Sequence, residues 1–309
     1  MLSTLASVSF VTPGFSISTG EYLVCMPARP VRPLIRRALA LLGIFLLVLG
    51  TLALVPRLRT PRHDRVWAAD NARLAAVRRV GRQVTVANVR NARYRTAADY
   101  DVHWTERTVD LDSLVSVWAA VEPFREHPAI GHTLLSFGFA GGQYLALSIE
   151  VRKEPGEEYG VWSGMLGTFE VIPVVADERD VLGLRANHRQ DDVYLYPLRL
   201  TAAERERVFL AALDAVEMRL ETPAFYHTLT SNCTTGMVEL LRAARDDLLP
   251  AWHWSYLLPS SFDGLLIARD LVDTDLHLEA ARARFRINPR AGSGADTLAD
   301  FSARIRRPS

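Results

Sequence analysis

Residues 38–55, ALALLGIFLLVLGTLALV, run for eighteen positions without a charge. That is close to the roughly 20 apolar residues that cross a hydrocarbon core as an α-helix. No polar face interrupts the run, and a buried core helix is a poor account of it. Arg29, Arg32, Arg36 and Arg37 precede it. Positive charge on that side predicts a cytoplasmic N-terminus and export of the chain beyond the run, although Arg57, Arg59 and Arg62 on the far side weaken the bias. The exit LALVPRLR lacks the small-residue cleavage site of a signal peptide. The expectation is therefore an uncleaved single-pass anchor in the inner (cytoplasmic) membrane: residues 1–33 in the cytoplasm, a transmembrane helix over 34–57 in contact with membrane lipid, and the rest in the periplasm. Residues 1–25 show neither the apolar run nor the charge pattern of a targeting segment, whereas the stretch from Met26 does, so translation is expected to begin at Met26.

Of the 309 residues, 49% are apolar and 23% charged, enough to bury a sizeable core and too apolar for a disordered chain. The net charge is +1, and Lys153 is the only lysine. No basic surface for nucleic acid is implied. The two cysteines, Cys25 and Cys233, fall on opposite sides of the apolar run, so Cys233 is expected to be a free thiol.

Beyond the run, residues 58–75 are polar and arginine-rich and read as a linker or a first short helix. The linker is set at 58–81, one domain at 82–285, and a C-terminal surface segment at 286–309. RQVTVANVRNARYR reads as a strand with HWTERTVDL as its partner, and DSLVSVWAAVEPF has helical spacing. HTLLSFGFAGGQYLALSIEVRKE reads as an antiparallel hairpin turning at Gly141 and Gly142. With a three-residue loop, Phe139 pairs with Gln143, and His132 and Glu150 share a face; a one-residue slip would separate them. Further strands are expected at TFEVIPVV and DVYLYPLRL, joined by DERDVLGLRAN. A helix follows from Thr201, with Glu204 completing a capping box.

A second helix is expected at or just after Cys233, because Met237, Leu240, Leu241 and Ala244 follow it at helical offsets. A thiol in the first turn of a helix lies at the positive end of the backbone dipole, which favours thiolate. Unused N–H groups at Cys233 and Thr234, with the Asn232 side chain, offer donors to an oxyanion. A nucleophilic cysteine also needs a base. His132, at the head of a central strand with Glu150 able to orient it, fits best; His227, six residues before Cys233, is the alternative. The same facts suit a cysteine that only packs, since free Cys is among the most buried residue types. No Cys or His cluster has metal-ligand spacing, and G-x-S-x-G, phosphate-binding and dinucleotide glycine motifs are missing, so neither metal nor cofactor is expected.

NVRNARYRT, HTLLSFGF, YLALSIEVRKE, DERDVLGLRAN, DDVYLYPLRL, FYHTLTSNCTTG and LPSSFDGLL, in this order, resemble the bacterial envelope family carrying the Lnb N-terminal periplasmic domain. The likeness runs from about Arg82 to Phe262. It implies an α+β, papain-like (permuted NlpC-type) domain with a central antiparallel sheet. Cys233 matches the family's cysteine and His132 its histidine; Glu150 is carried over as orienter. The motif reads Ser231-Asn232 where Asn-Asn is common. The named member, Lnb, is a lipoprotein N-acyltransferase, so the resemblance implies attack of a Cys thiolate on an acyl donor, a thioester acyl-enzyme, and release to an amine or water. A membrane-anchored acyltransferase or hydrolase acting on lipid-linked substrates such as lipoproteins or phospholipids is the expectation. A cell-wall amidase or endopeptidase, and a non-catalytic envelope scaffold, are the alternatives.

Overall fold

The computed structural model describes residues 31–54, 59–292 and 298–307; Cys25 and the start expected at Met26 lie outside them. The chain divides into two compact units, residues 1–49 and 50–309. The first is described by helix α1 (Val31–Leu54), 24 residues long. Its side chains, described without a break over 35–51, leave Ile35, Leu39, Leu42, Phe45 and Leu47 at least half exposed. Among the described residues no helix is long and apolar enough to cross a membrane. The described part of α1 thus does not by itself make the span expected over 34–57.

The second unit is built on one sheet of eight strands: β1 (Ala76–Val80), β2 (Gln83–Tyr94), β3 (Tyr100–Asp110), β4 (Leu114–Pro123), β5 (Gly131–Phe139), β6 (Gln143–Arg152), β7 (Glu170–Ala176) and β8 (Tyr194–Pro197). Their spatial order is β1-β2-β7-β6-β5-β4-β8, with β3 also on β2. The sheet is mixed, not wholly antiparallel as expected, because β2 and β7 run parallel where Arg90 lies beside Ala176. β2 carries a bulge between Val86 and Val89. There Asn88 takes the left-handed conformation (φ 57°), which asparagine adopts more readily than most residues, and its amide donates to the Leu74 carbonyl at 2.9 Å.

β5 and β6 form the expected hairpin, with Phe139 opposite Gln143 and Gly141 and Gly142 at positive φ in the turn. Alternation along β5 then divides the core. Thr133, Leu135, Phe137 and Phe139 face helices α4 (Ala202–Glu221) and α5 (Cys233–Ala244); Leu134 and Ser136 face α3 (Glu178–Gly183) and the π-helical turn Leu184–Arg189. α4 starts with the expected capping box, Thr201 accepting from the Glu204 amide.

Three expectations fail. DSLVSVWAAVEPF is not helical but supplies strand β4, paired with β5 and β8. Both faces of that strand are buried, so its apolar residues do not alternate, and such a run cannot be told from a helix by period alone. The described residues 59–81 are docked, not a free linker, and include the short helix Ala69–Asn71: Asn71 is buried, Arg65 binds Glu170 at 2.9 Å, and β1 joins the sheet. The segment 286–309 is not confined to the surface, since helix α9 (Leu298–Ile305) buries Phe301 and Ile305 and Arg306 binds Glu178 beside it. Two apolar residues four apart form a one-sided stripe that the polar composition masks.

Candidate active site

Helix α5 begins at Cys233 because of Asn232. Its Oδ1 accepts from the N–H groups of Thr234 and Thr235, both at 2.9 Å. Its Nδ2 donates to the carbonyls of Thr228 and Tyr256 at 2.8 and 3.1 Å. One side chain thus caps the helix and ties it to the loops on either side. This corrects the sequence reading of Asn232 and Thr234 as oxyanion donors: the Asn232 amide and the Thr234 N–H are already bound to each other or to the loops. The Cys233 N–H faces the hydroxyl of buried Tyr226.

Cys233 is a free, buried thiol. Its sulfur lies 3.9 Å from the Thr234 hydroxyl, and the Thr133 N–H and hydroxyl also approach it. Thr133 and Thr234 meet across strand and helix at 3.3 Å. The dipole argument expects a lowered thiol pKa, and the structure gives the reverse. Burial pushes Cys233 up, and the hydrogen bonds from Thr133 and Thr234 only partly offset it.

His132 comes from the other face of the sheet. Paired residues of β5 and β6 end at Leu134 and Ser148, and beyond that point the side chains of His132 and Glu150 meet through a third group. The His132 Nε2 lies 2.6 Å from Ser148 Oγ, and Ser148 Oγ donates to Glu150 Oε1 at 2.8 Å. Since the serine proton goes to the carboxylate, Ser148 accepts from an Nε2–H, which leaves Nδ1 as the basic nitrogen. Glu150 is held by Arg185 at 3.0 Å and by Arg90 at 3.7 Å, while Arg185 also binds Glu122 at 2.5 Å and Arg90 binds Asp180 at 3.0 Å. Burial works to raise the Glu150 pKa, and the two guanidiniums overcome it and hold the carboxyl well below the usual range. Burial, with the charge of Arg185, lowers His132 to about 3 against the pull of Glu150. Burial pushes Glu122 up to about 7 in spite of Arg185.

Cys233, His132 and Glu150 line one cavity of about 430 Å³ that opens where β5 and β6 part. Its wall joins the cationic groups Arg90, Arg185, Arg189 and Lys153 to the apolar residues Phe124, Ile130, Ile149, Leu257 and Leu258. No hydrogen bond joins His132 to the sulfur among the described residues. His227, the alternative base, is not part of the wall; its Nδ1 accepts from the Leu229 N–H at 3.3 Å. Among the described residues no group of three or more His, Cys, Asp or Glu could hold a metal ion.

Ser148, Arg185 and Tyr226 were not legible as site residues in the sequence. Ser148 carried a signal, standing two residues before Glu150 and so on its face. Arg185 and Tyr226 stand inside the stretches DERDVLGLRAN and FYHTLTSNCTTG, but nothing local gives either a role, because they reach the cavity from elements whose positions only the fold fixes.

A mixed α+β unit in which a cysteine at a helix start and a histidine on a central strand share a cavity defines the class to which this chain is to be compared. The chain belongs to the family of the Lnb N-terminal periplasmic domain, whose model matches residues 100–260, more than half of its length. That family makes it an envelope protein. No curated protein and no solved structure matches it.

Proposed function

We propose that the protein is a membrane-anchored, periplasmic, papain-like enzyme that transfers or hydrolyses acyl groups through a thioester on Cys233. The carrying observation is that Cys233, at the start of α5, and His132, oriented through Ser148, line the same cavity. In the reaction the Cys233 proton passes to His132 Nδ1, the nitrogen that Ser148 leaves open. The sulfur attacks the acyl carbonyl carbon, and the oxyanion is met by the Cys233 N–H and the Tyr226 hydroxyl. The imidazolium returns its proton to the leaving group as that bond breaks, leaving a thioester. An amine or water, deprotonated by the same ring, then attacks the thioester carbonyl; the C–S bond breaks, the acyl group leaves on the new nucleophile, and the imidazolium returns its proton to the Cys233 sulfur. Glu150 fixes the ring indirectly, through the serine.

The apolar half of the cavity suits an acyl chain, and the exposed apolar side chains of α1 support a bilayer tether. A tether raises the effective concentration of lipid-linked substrates such as lipoproteins or phospholipids. A second reading, an envelope scaffold in which Cys233 only packs, is favoured by one observation: burial raises the pKa of the Cys233 thiol, which disfavours the thiolate. Cys233→Ala and His132→Ala in the native host separate the two. The enzyme reading expects altered lipid or lipoprotein acyl profiles by mass spectrometry in both strains; profiles matching the parent in both favour the scaffold. An altered muropeptide digest with unaltered lipids would instead point to cell-wall cleavage.

A further inference from the structure

The apolar half of the cavity does not end at its wall. Leu229, Leu257 and Leu258 line the cavity and are also 43%, 40% and 40% exposed. The N–H groups of Leu257 and Leu258 both bind the Trp254 carbonyl, at 3.0 and 3.2 Å, so Trp254 belongs to the same turn. Trp254 is 48% exposed and Trp252, two residues earlier, 67%. Asn232 fastens this loop to the cysteine helix through the Tyr256 carbonyl. A continuous apolar lip therefore runs from two solvent-facing tryptophans to the cavity that holds Cys233.

We propose that this lip, residues 252–258 with Leu229, dips into the surface of the lipid bilayer and admits an acyl chain from it directly into the cavity. Three observations choose the bilayer as occupant. Tryptophan with leucine beside it is the composition of membrane interfaces, where an indole keeps its ring in the headgroup layer and its N–H in contact with water. α1 exposes apolar side chains on all sides, a surface that a bilayer suits. The lip leads into a chamber whose wall sets four cationic groups, Arg90, Lys153, Arg185 and Arg189, against two carboxylates, Asp70 and Glu150, a net positive lining that suits an amphiphile with an anionic head. What enters the chamber rests on the acyl-transfer reading of the site; the contact of the lip with lipid does not.

The test uses the full chain reconstituted in phosphatidylcholine vesicles whose acyl chains carry bromine, which quenches nearby tryptophan. α1 contains no tryptophan, so quenching does not come from the anchor. The native chain is expected to be quenched relative to unbrominated vesicles, and Trp252→Phe/Trp254→Phe to lose most of that quenching while its circular dichroism is unchanged. Cys233→Ala, which cannot form a thioester, is expected to be quenched like the native chain. That separates failure of the lip from failure of the chemistry. Equal quenching of native and double variant, or none in either, overturns the proposal. So does native emission that is shielded from a water-soluble quencher yet not quenched by brominated lipid, in a chain that cross-links as a dimer; that result assigns the lip to a second copy.

Discussion

Ser148 stands between His132 and Glu150, and its hydroxyl is the only route described by which the carboxylate reaches the imidazole. It is a positioning residue. Ser148→Ala leaves Nε2–H without that acceptor and frees the ring to rotate, so kcat should fall about tenfold or more with little change in KM, short of the ~10²–10⁴-fold cost of losing the base itself. The conservative Ser148→Thr should recover part of the loss, which a merely structural role would not produce. The titration of the ring also has a consequence for the fold. Burial lowers His132 to about 3, whereas an unfolded histidine titrates near about 6.5. Between those values the unfolded chain holds a proton that the folded chain does not. The stability contributed by the neutral ring is therefore complete above pH ~6.5 and lost as the pH falls toward 3. Urea melts at neutral and mildly acidic pH should show the native chain losing more stability on acidification than His132→Gln. Equal losses would mean that the ring is solvated in the fold.

At the scale of elements, the site depends on where α5 starts. Asn232→Ala removes the cap and the two bonds donated to loop carbonyls, at a cost of about 1–2 kcal/mol in chemical denaturation. Asn232→Asp keeps an acceptor for the Thr234 and Thr235 N–H groups and should recover most of the capping energy, but not the two bonds donated to Thr228 and Tyr256. The start of α5 was legible in the sequence because its signals are local: an N-cap asparagine followed by apolar residues at helical spacing. The β5–β6 hairpin was legible for the same reason, with Gly141 and Gly142 fixing the turn and hence the register that places His132 near Glu150. β4 was not, because burial on both faces erased the alternation that marks a strand. The oxyanion role given to Asn232 and Thr234 failed because their donors are already used: the Thr234 N–H on the Asn232 Oδ1, and the Asn232 Nδ2 on two loop carbonyls. The lowered thiol pKa failed for a related reason: the dipole of α5 is outweighed by the burial of the sulfur beneath β5.

At the scale of the molecule, the C-terminal helix belongs to the fold. Phe301 is buried among the side chains that cover α3's face of the sheet, and Arg306 anchors the same helix to Glu178. Phe301→Ala should lower unfolding stability by about 3–5 kcal/mol, and a loss below about 1 kcal/mol, the size of an ordinary surface substitution, would return the segment to the surface. α3 leads directly into the turn that carries Arg185, so this packing also supports the guanidinium that holds Glu150. The central claim is that Cys233 carries an acyl group during turnover. It is tested most directly by mass spectrometry of the full chain after incubation with diacylphospholipid vesicles, with proteolysis to locate any adduct. A single acyl addition is expected on the peptide containing Cys233, removed by hydroxylamine as a thioester is, and greatly reduced in His132→Ala. An intact, folded chain that acquires no adduct on Cys233, or acquires it equally without His132, would contradict the claim.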